Sequence, residues 1–172
     1  MKISLKGVVV EDFINYKDPA MVLLFPTCTF KCDKEHGYPI CQNWSLTNSP
    51  TVEFDVDGLV KEFVENPITK AVVCGGLEPM DSFEDLITFV RHLRAVDDST
   101  VVVYTGYRAD EVESKIDILE NYKNIIVKFG RFIPGHEPHF DPVLGVNLSS
   151  MNQYAARLQR KKWKDMEETY DK

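Results

Sequence analysis

The sequence predicts an α/β protein: an open partial (βα) barrel around a mainly parallel sheet, with residues 1–172 forming one domain and 151–172 its C-terminal helical tail. Three observations lead there. Apolar, β-branched runs alternate with segments whose apolar residues follow helical spacing, the pattern of a parallel sheet with crossover helices. Glycine-rich or polar loops follow those runs. A chain of 172 residues is too short for a closed eight-unit barrel, which takes about 250, although 44% hydrophobic content supplies a real core.

Residues 3–10 open the chain as a β-branched strand, and 21–25 form a continuous apolar run suited to a buried strand, with Pro26 and the cysteine segment as loop. From Asp55, the residues Val56, Leu59, Val60, Phe63 and Val64 mark a helix that Asn66 and Pro67 end. Residues 70–74 read as a strand broken at Gly75 and Gly76. Ser82 is placed to cap the next helix, with Phe83, Leu86, Ile87, Val90 and Leu93 on one stripe. Strands at 101–104 and 124–129 flank a helix over 110–119 with Val112, Ile116 and Leu119 inward, and 132–142, with three prolines, is an irregular excursion. In such folds the ligand sits at the carboxyl ends of the strands, so the loops carrying Cys28, Gly75 and Thr105 are expected to meet at one mouth.

The net charge of −7 argues against nucleic acid as a partner, since phosphate binding relies on a concentrated basic surface. No apolar run approaches the roughly 20 residues of a membrane span, and the N-terminus lacks a signal-peptide pattern, so a cytoplasmic protein is expected. The basic stretch Arg157, Arg160, Lys161, Lys162 and Lys164 reads as a solvated helix face, with a partner-docking tail as the alternative.

Four cysteines in a reducing compartment point to metal or redox chemistry rather than disulfides. Cys28 and Cys32 are separated by three residues, and Cys41 follows after eight more. Thiolates hold iron–sulfur clusters and zinc alike. Zinc would need a fourth ligand, His36 or Cys74, whereas three cysteines suit a four-iron cluster with one iron left open for catalysis. Cys74, ending a buried strand, is expected to be a core residue, and His36 an exposed loop histidine.

The cysteine segment resembles the cluster loop of the radical S-adenosylmethionine superfamily. Its end, Pro39-Ile40-Cys41-Gln42-Asn43-Trp44, is similar to the third-cysteine region of glycyl-radical activating enzymes. That family usually has two residues between the second and third cysteines, so 33–38 looks like a six-residue insertion. Gly75-Gly76-Leu77-Glu78-Pro79 resembles the family's glycine-glycine-glutamate-proline motif, with Leu77 added. Tyr104-Thr105-Gly106-Tyr107 and Leu148-Ser149-Ser150-Met151-Asn152-Gln153 resemble segments of the anaerobic ribonucleotide reductase activating proteins.

The resemblance implies that Cys28, Cys32 and Cys41 hold a [4Fe-4S] cluster and that S-adenosyl-L-methionine chelates the fourth iron. Ile40, Asn43, Gly75, Gly76, Leu77, Glu78, Thr105 and Tyr107 would then surround S-adenosylmethionine, with glycine allowing close backbone approach and Glu78 facing the ammonium. It implies reductive cleavage to a 5′-deoxyadenosyl radical, an external one-electron donor, and a glycyl-radical protein such as anaerobic ribonucleotide reductase as partner. No catalytic acid or base is expected, so His92, His136 and His139 have no assigned role. A radical enzyme acting on a small molecule such as a deazapurine precursor, and a non-catalytic zinc-binding interaction module, are the alternatives.

Overall fold

A computed structural model of the chain describes residues 1–37, 39, 40 and 43–159, with Lys31 and Cys32 described by their backbone alone. The elements in order are β1 (Lys2–Leu5), β2 (Gly7–Asp12), β3 (Ala20–Phe25), α1 (Lys31–His36), β4 (Val52–Asp55), α2 (Val56–Glu65), β5 (Ala71–Gly76), α3 (Phe83–Arg94), β6 (Thr100–Tyr104), α4 (Glu113–Leu119), β7 (Ile125–Phe129), β8 (His139–Asp141), β9 (Val146–Leu148) and β10 (Tyr154–Arg157). The protein is mixed α/β, and its central sheet has the strand order β10-β7-β6-β5-β3-β2. The four inner strands are parallel, while β2 and β10 close the two edges antiparallel. No described helix is long and apolar enough to cross a membrane.

Alternation along the inner strands divides the core in two, because successive side chains point to opposite faces. Met21, Leu23, Phe25, Val72, Cys74, Val101, Val103, Ile125, Val127 and Phe129 pack against α2, α3 and α4. Ala20, Val22, Ala71, Val73, Val102 and Ile126 face the other way and meet Tyr16, Leu144 and Leu148. Strands covered on both sides can be apolar throughout, as β3 is. The inner cover is pinned by Asp141, a buried carboxylate that accepts the N–H groups of Val143 (3.0 Å), Leu144 (2.9 Å) and Ala155 (3.0 Å).

Several expectations need correction. The strand expected over 3–10 is two strands, since the Lys6 N–H turns to the Leu24 carbonyl at 2.7 Å, β1 pairs with β4, and β2 pairs with β3. The helix expected over 110–119 is interrupted: Ala109–Glu111 is a 3-10 turn and α4 begins at Glu113. Ser82 makes no capping bond to α3, its Oγ lying instead 2.7 Å from Thr27 Oγ1. The tail expected to be helical from 151 starts as β10, which completes the open edge of β7 where a helix would leave backbone groups unpaired. Residues 160–172, with the rest of the basic stretch, lie outside the described residues.

Candidate functional site

At the carboxyl ends of the parallel strands, three loops come together around a cavity of about 460 Å³. Cys28, Thr29 and Asn43 line it from the cysteine loop, Gly75 and Gly76 from the end of β5 with Leu77 and Glu78 just beyond it, and Thr105 to Tyr107 from the loop after β6; the strand expected to break at Gly75 runs on through Gly76, paired with β3. The single mouth expected from the strand pattern is what the parallel registers produce.

The end of β5 and the loop beyond it are built by backbone contacts first. A Cβ on Gly76, at φ +81°, would lie 2.7 Å from the Phe25 nitrogen and 2.8 Å from the Leu24 Cα, so only glycine lets β5 pass the end of β3 there. Gly75 differs: an added Cβ would meet nothing within 4 Å, and the space it leaves belongs to the cavity. Beyond them, the Leu77 N–H donates to the Phe25 carbonyl at 3.0 Å and the Glu78 N–H to the Thr27 carbonyl at 2.7 Å.

Glu78 joins two of the loops. Its Oε1 accepts the Thr105 hydroxyl at 2.9 Å and the Gly106 N–H at 2.8 Å, and its Oε2 accepts the Met80 N–H at 3.0 Å. Only 5% of the residue is exposed, and burial pushes its carboxyl up to about 7 against the pull of those donors. Thr105 Oγ1 also accepts the Tyr107 N–H at 3.0 Å. Glu78 and Thr105, expected as cofactor contacts, thus serve first as the link between the glycine loop and the loop after β6.

Asp81, which the motifs did not single out, repeats this arrangement nearer the cysteines. It accepts the Thr29 N–H at 3.0 Å and the Tyr107 hydroxyl at 2.6 Å. Burial and the Asp81 carboxylate hold the Tyr107 phenol up at about 12.

Within the cysteine loop, Phe30 takes a left-handed conformation (φ 54°), and Gly37 does the same at the end of α1, where its N–H returns to the Asp33 carbonyl at 2.8 Å. Between these two reversals lies the short helix α1, Lys31–His36. The Cys28 sulfur, partly exposed at the cavity wall, accepts the Phe30 N–H at 3.2 Å. Asn43 Nδ2 donates to the Gly76 carbonyl at 2.8 Å, and the ring of Phe30 stacks on Trp44 at 4.6 Å.

Arg131, just after β7, was likewise not legible from the motifs. Its Nη2 lies 2.7 Å from Glu111 Oε1 and its Nε 3.4 Å from Glu35 of α1, so one buried guanidinium touches both the segment after β6 and α1. It holds the Glu111 carboxyl down at about 2.

Of the expected site residues, Cys28, Asn43, Gly75, Gly76, Leu77, Glu78, Thr105 and Tyr107 line the one cavity. Ile40 does not, and its N–H donates to Asp33 Oδ1 at 2.7 Å. The Cys32 side chain and all of Cys41 lie outside the described residues, and among those described no three His, Cys, Asp or Glu side chains gather as a metal site. Cys74 is fully buried on the helix face of β5 with its thiol pushed up by burial, which leaves it a core residue. Asn152 and Gln153 turn to backbone carbonyls, of Arg131 at 2.7 Å and of Gly130 at 3.3 Å.

Residues 19–154 match the family model described as 4Fe-4S single cluster domain. No curated protein matches the chain.

Proposed function

Since the chain belongs to the 4Fe-4S single cluster domain family and so contains a 4Fe-4S cluster domain, we propose that it is a radical S-adenosylmethionine enzyme that generates a glycyl radical on a partner such as an anaerobic ribonucleotide reductase. The observation that carries this reading is the meeting of the cysteine, glycine and threonine-glycine-tyrosine loops around one cavity, with Cys28 in its wall. In this reading the sheet is the open partial barrel, and Cys28, Cys32 and Cys41 are the cluster ligands.

The described part of the ligand loop fits a cluster chemically. A partly exposed thiol that accepts a backbone N–H is suited to thiolate ligation, because amide donation stabilises the negative sulfur. When bound, the cluster would supply the electron that cleaves S-adenosylmethionine to methionine and a 5′-deoxyadenosyl radical.

The residues present have geometric tasks. Gly75 leaves room for ligand against the sheet, and Leu24, Val22 and Val73 give the cavity an apolar wall that excludes water. Glu78 and Asp81 fix the spacing of the three loops. Hydrogen transfer from a glycine α-carbon to the deoxyadenosyl radical yields 5′-deoxyadenosine and a glycyl radical, and needs no acid or base. His92 Nδ1 lies 2.8 Å from Asp57 on the helix side, and His139 Nε2 2.7 Å from the Gln153 carbonyl.

Anaerobic incubation with dithionite and S-adenosylmethionine tests the reading through its products. Methionine and 5′-deoxyadenosine are expected, with a glycyl-radical signal when the reductase is added. Zinc bound in place of iron, with neither product formed, would replace this reading by the interaction module.

A further inference from the structure

The basic stretch near the end of the sequence has no part in the cavity, and its residue pattern carries a second signal. Over 160–172 the apolar side chains are Trp163, Met166 and Tyr170, spaced i, i+3, i+7 as on one stripe of a helix. The first half of the segment is basic (Arg160, Lys161, Lys162, Lys164) and the second mainly acidic (Asp165, Glu167, Glu168, Asp171). Charge in that order opposes the helix dipole, and thirteen residues make only a marginal helix alone. A helix here would draw its stability from burying the stripe.

A groove on the helix side of the sheet offers a matching surface. Val60 and Val64 of α2 line it with Ala95 and Val96 at the end of α3, and Val64 and Val96 are 47% and 66% exposed. Along α2 it runs from Asp57 to Glu65, about 12 Å at 1.5 Å per residue, against about 10 Å from Trp163 to Tyr170. The described chain arrives beside it. The Leu158 N–H donates to the Ile125 carbonyl at 2.9 Å, and Arg94, the last residue of α3, donates to the carbonyls of Lys123 at 2.8 Å and Asn124 at 3.2 Å. Residues 159–162 then supply up to about 13 Å of chain to carry Trp163 to Ala95 and Val96.

We propose that residues 160–172 form an amphipathic helix that docks in the groove between α2 and α3 of the same chain, with Trp163, Met166 and Tyr170 against Val60, Val64 and Val96. Charge fixes its direction. Asp97 and Asp98 follow Val96 at the near end and face the basic head, while Lys61 and Arg91 stand along the groove and face the acidic half. The pairs already present there, Asp98 with Lys123 at 3.6 Å and Lys61 with Glu65 at 3.9 Å, are exposed and weak enough to rearrange. The basic stretch is then the head of an internal cap on the helix layer rather than a site for a separate partner.

The test is amide hydrogen exchange, read by mass spectrometry on the anaerobically reconstituted full chain and on a chain ending at Gln159. In the full chain the amides of 163–170 should exchange at least about tenfold more slowly than in an unstructured peptide of that sequence, and α2 with the end of α3 should exchange about tenfold faster once 160–172 are removed. Hundredfold dilution should leave the protection unchanged, because the occupant belongs to the same chain. Equal exchange of α2 and α3 in the two chains overturns the inference, as does protection that changes on another face instead. Protection lost on dilution also overturns it, since a second copy would then supply the segment. Should the shortened chain not fold, Trp163→Ser in the full chain reads the same acceleration, and unprotected amides over 163–170 in the unaltered chain are decisive against the proposal by themselves.

Discussion

The loop after β5 and the cysteine loop after β3 face the same cavity, but they are held in different ways. The first is fixed by the protein alone: Gly76, at the end of β5, fits where no side chain could, two N–H groups bind back to Phe25 at the end of β3 and to Thr27 beyond it, and Glu78 closes onto the loop after β6. Among the described residues, the cysteine loop is tied at separate points, through Thr29 to Asp81, Glu35 to Arg131 and Asn43 to the Gly76 carbonyl, with Cys28 just before them in sequence and Cys32 and Cys41 between them. One side of the cavity is thus a preformed wall. In the proposed reading the other is framed by the protein and would be completed by a cluster on the three proposed ligands, since metal ligation adds cross-links that folding does not supply.

The sharpest way to break this contrast is to remove a thiol. Cys28→Ala and Cys41→Ala should each lose essentially all bound iron and sulfide while the sheet stays folded by circular dichroism, whereas Cys74→Ala should keep its cluster. Iron and sulfide analysis after anaerobic reconstitution checks this, and a full cluster without Cys41 would overturn the ligand set.

Substitutions in the preformed wall should strike folding instead. Gly76→Ala forces a Cβ against the backbone of β3 at a left-handed φ and is expected to destabilise the protein by about 2–4 kcal/mol in denaturant titrations. Its neighbour separates structure from binding: Gly75→Ala should cost less than about 1 kcal/mol of stability but weaken S-adenosylmethionine binding by placing a methyl in the cavity.

The link made by Glu78 should be visible as a pH dependence. Its carboxyl is raised from 4.5 to about 7 by burial, so between those values the folded chain holds a proton that the unfolded chain has released. Stability from this group is therefore fully present below about 4.5 and declines as pH rises through 7, by up to about 3 kcal/mol. Glu78→Gln should flatten the slope in that window. At the weak end, Arg131→Lys should leave global stability nearly unchanged but speed cluster loss in air, because a lysine cannot reach Glu111 and Glu35 with one rigid fork.

How much of this the sequence carried follows from where its signals are local. Strands such as β3 and β5 and the helices α2 and α3 are legible because apolar spacing within a few residues reports burial directly. Strand β10 is not legible, since Tyr154-Ala-Ala-Arg157 has no strong pattern of its own and is extended because β7 offers an unpaired edge. At the site, the motifs locate the three loops, but Glu78 and Thr105 prove to bind each other, a relation between residues 27 apart that spacing does not encode. Asp81 and Arg131 escape notice for the same reason.

The central claim, that the framed side of the cavity holds an open-cornered cluster to which S-adenosylmethionine binds, is tested most directly by electron paramagnetic resonance. Anaerobically reconstituted, reduced protein should give a four-iron signal that changes when S-adenosylmethionine is added, with iron and sulfide near four of each per chain. A cluster signal indifferent to S-adenosylmethionine, or zinc bound with no cluster after full reconstitution, would contradict it.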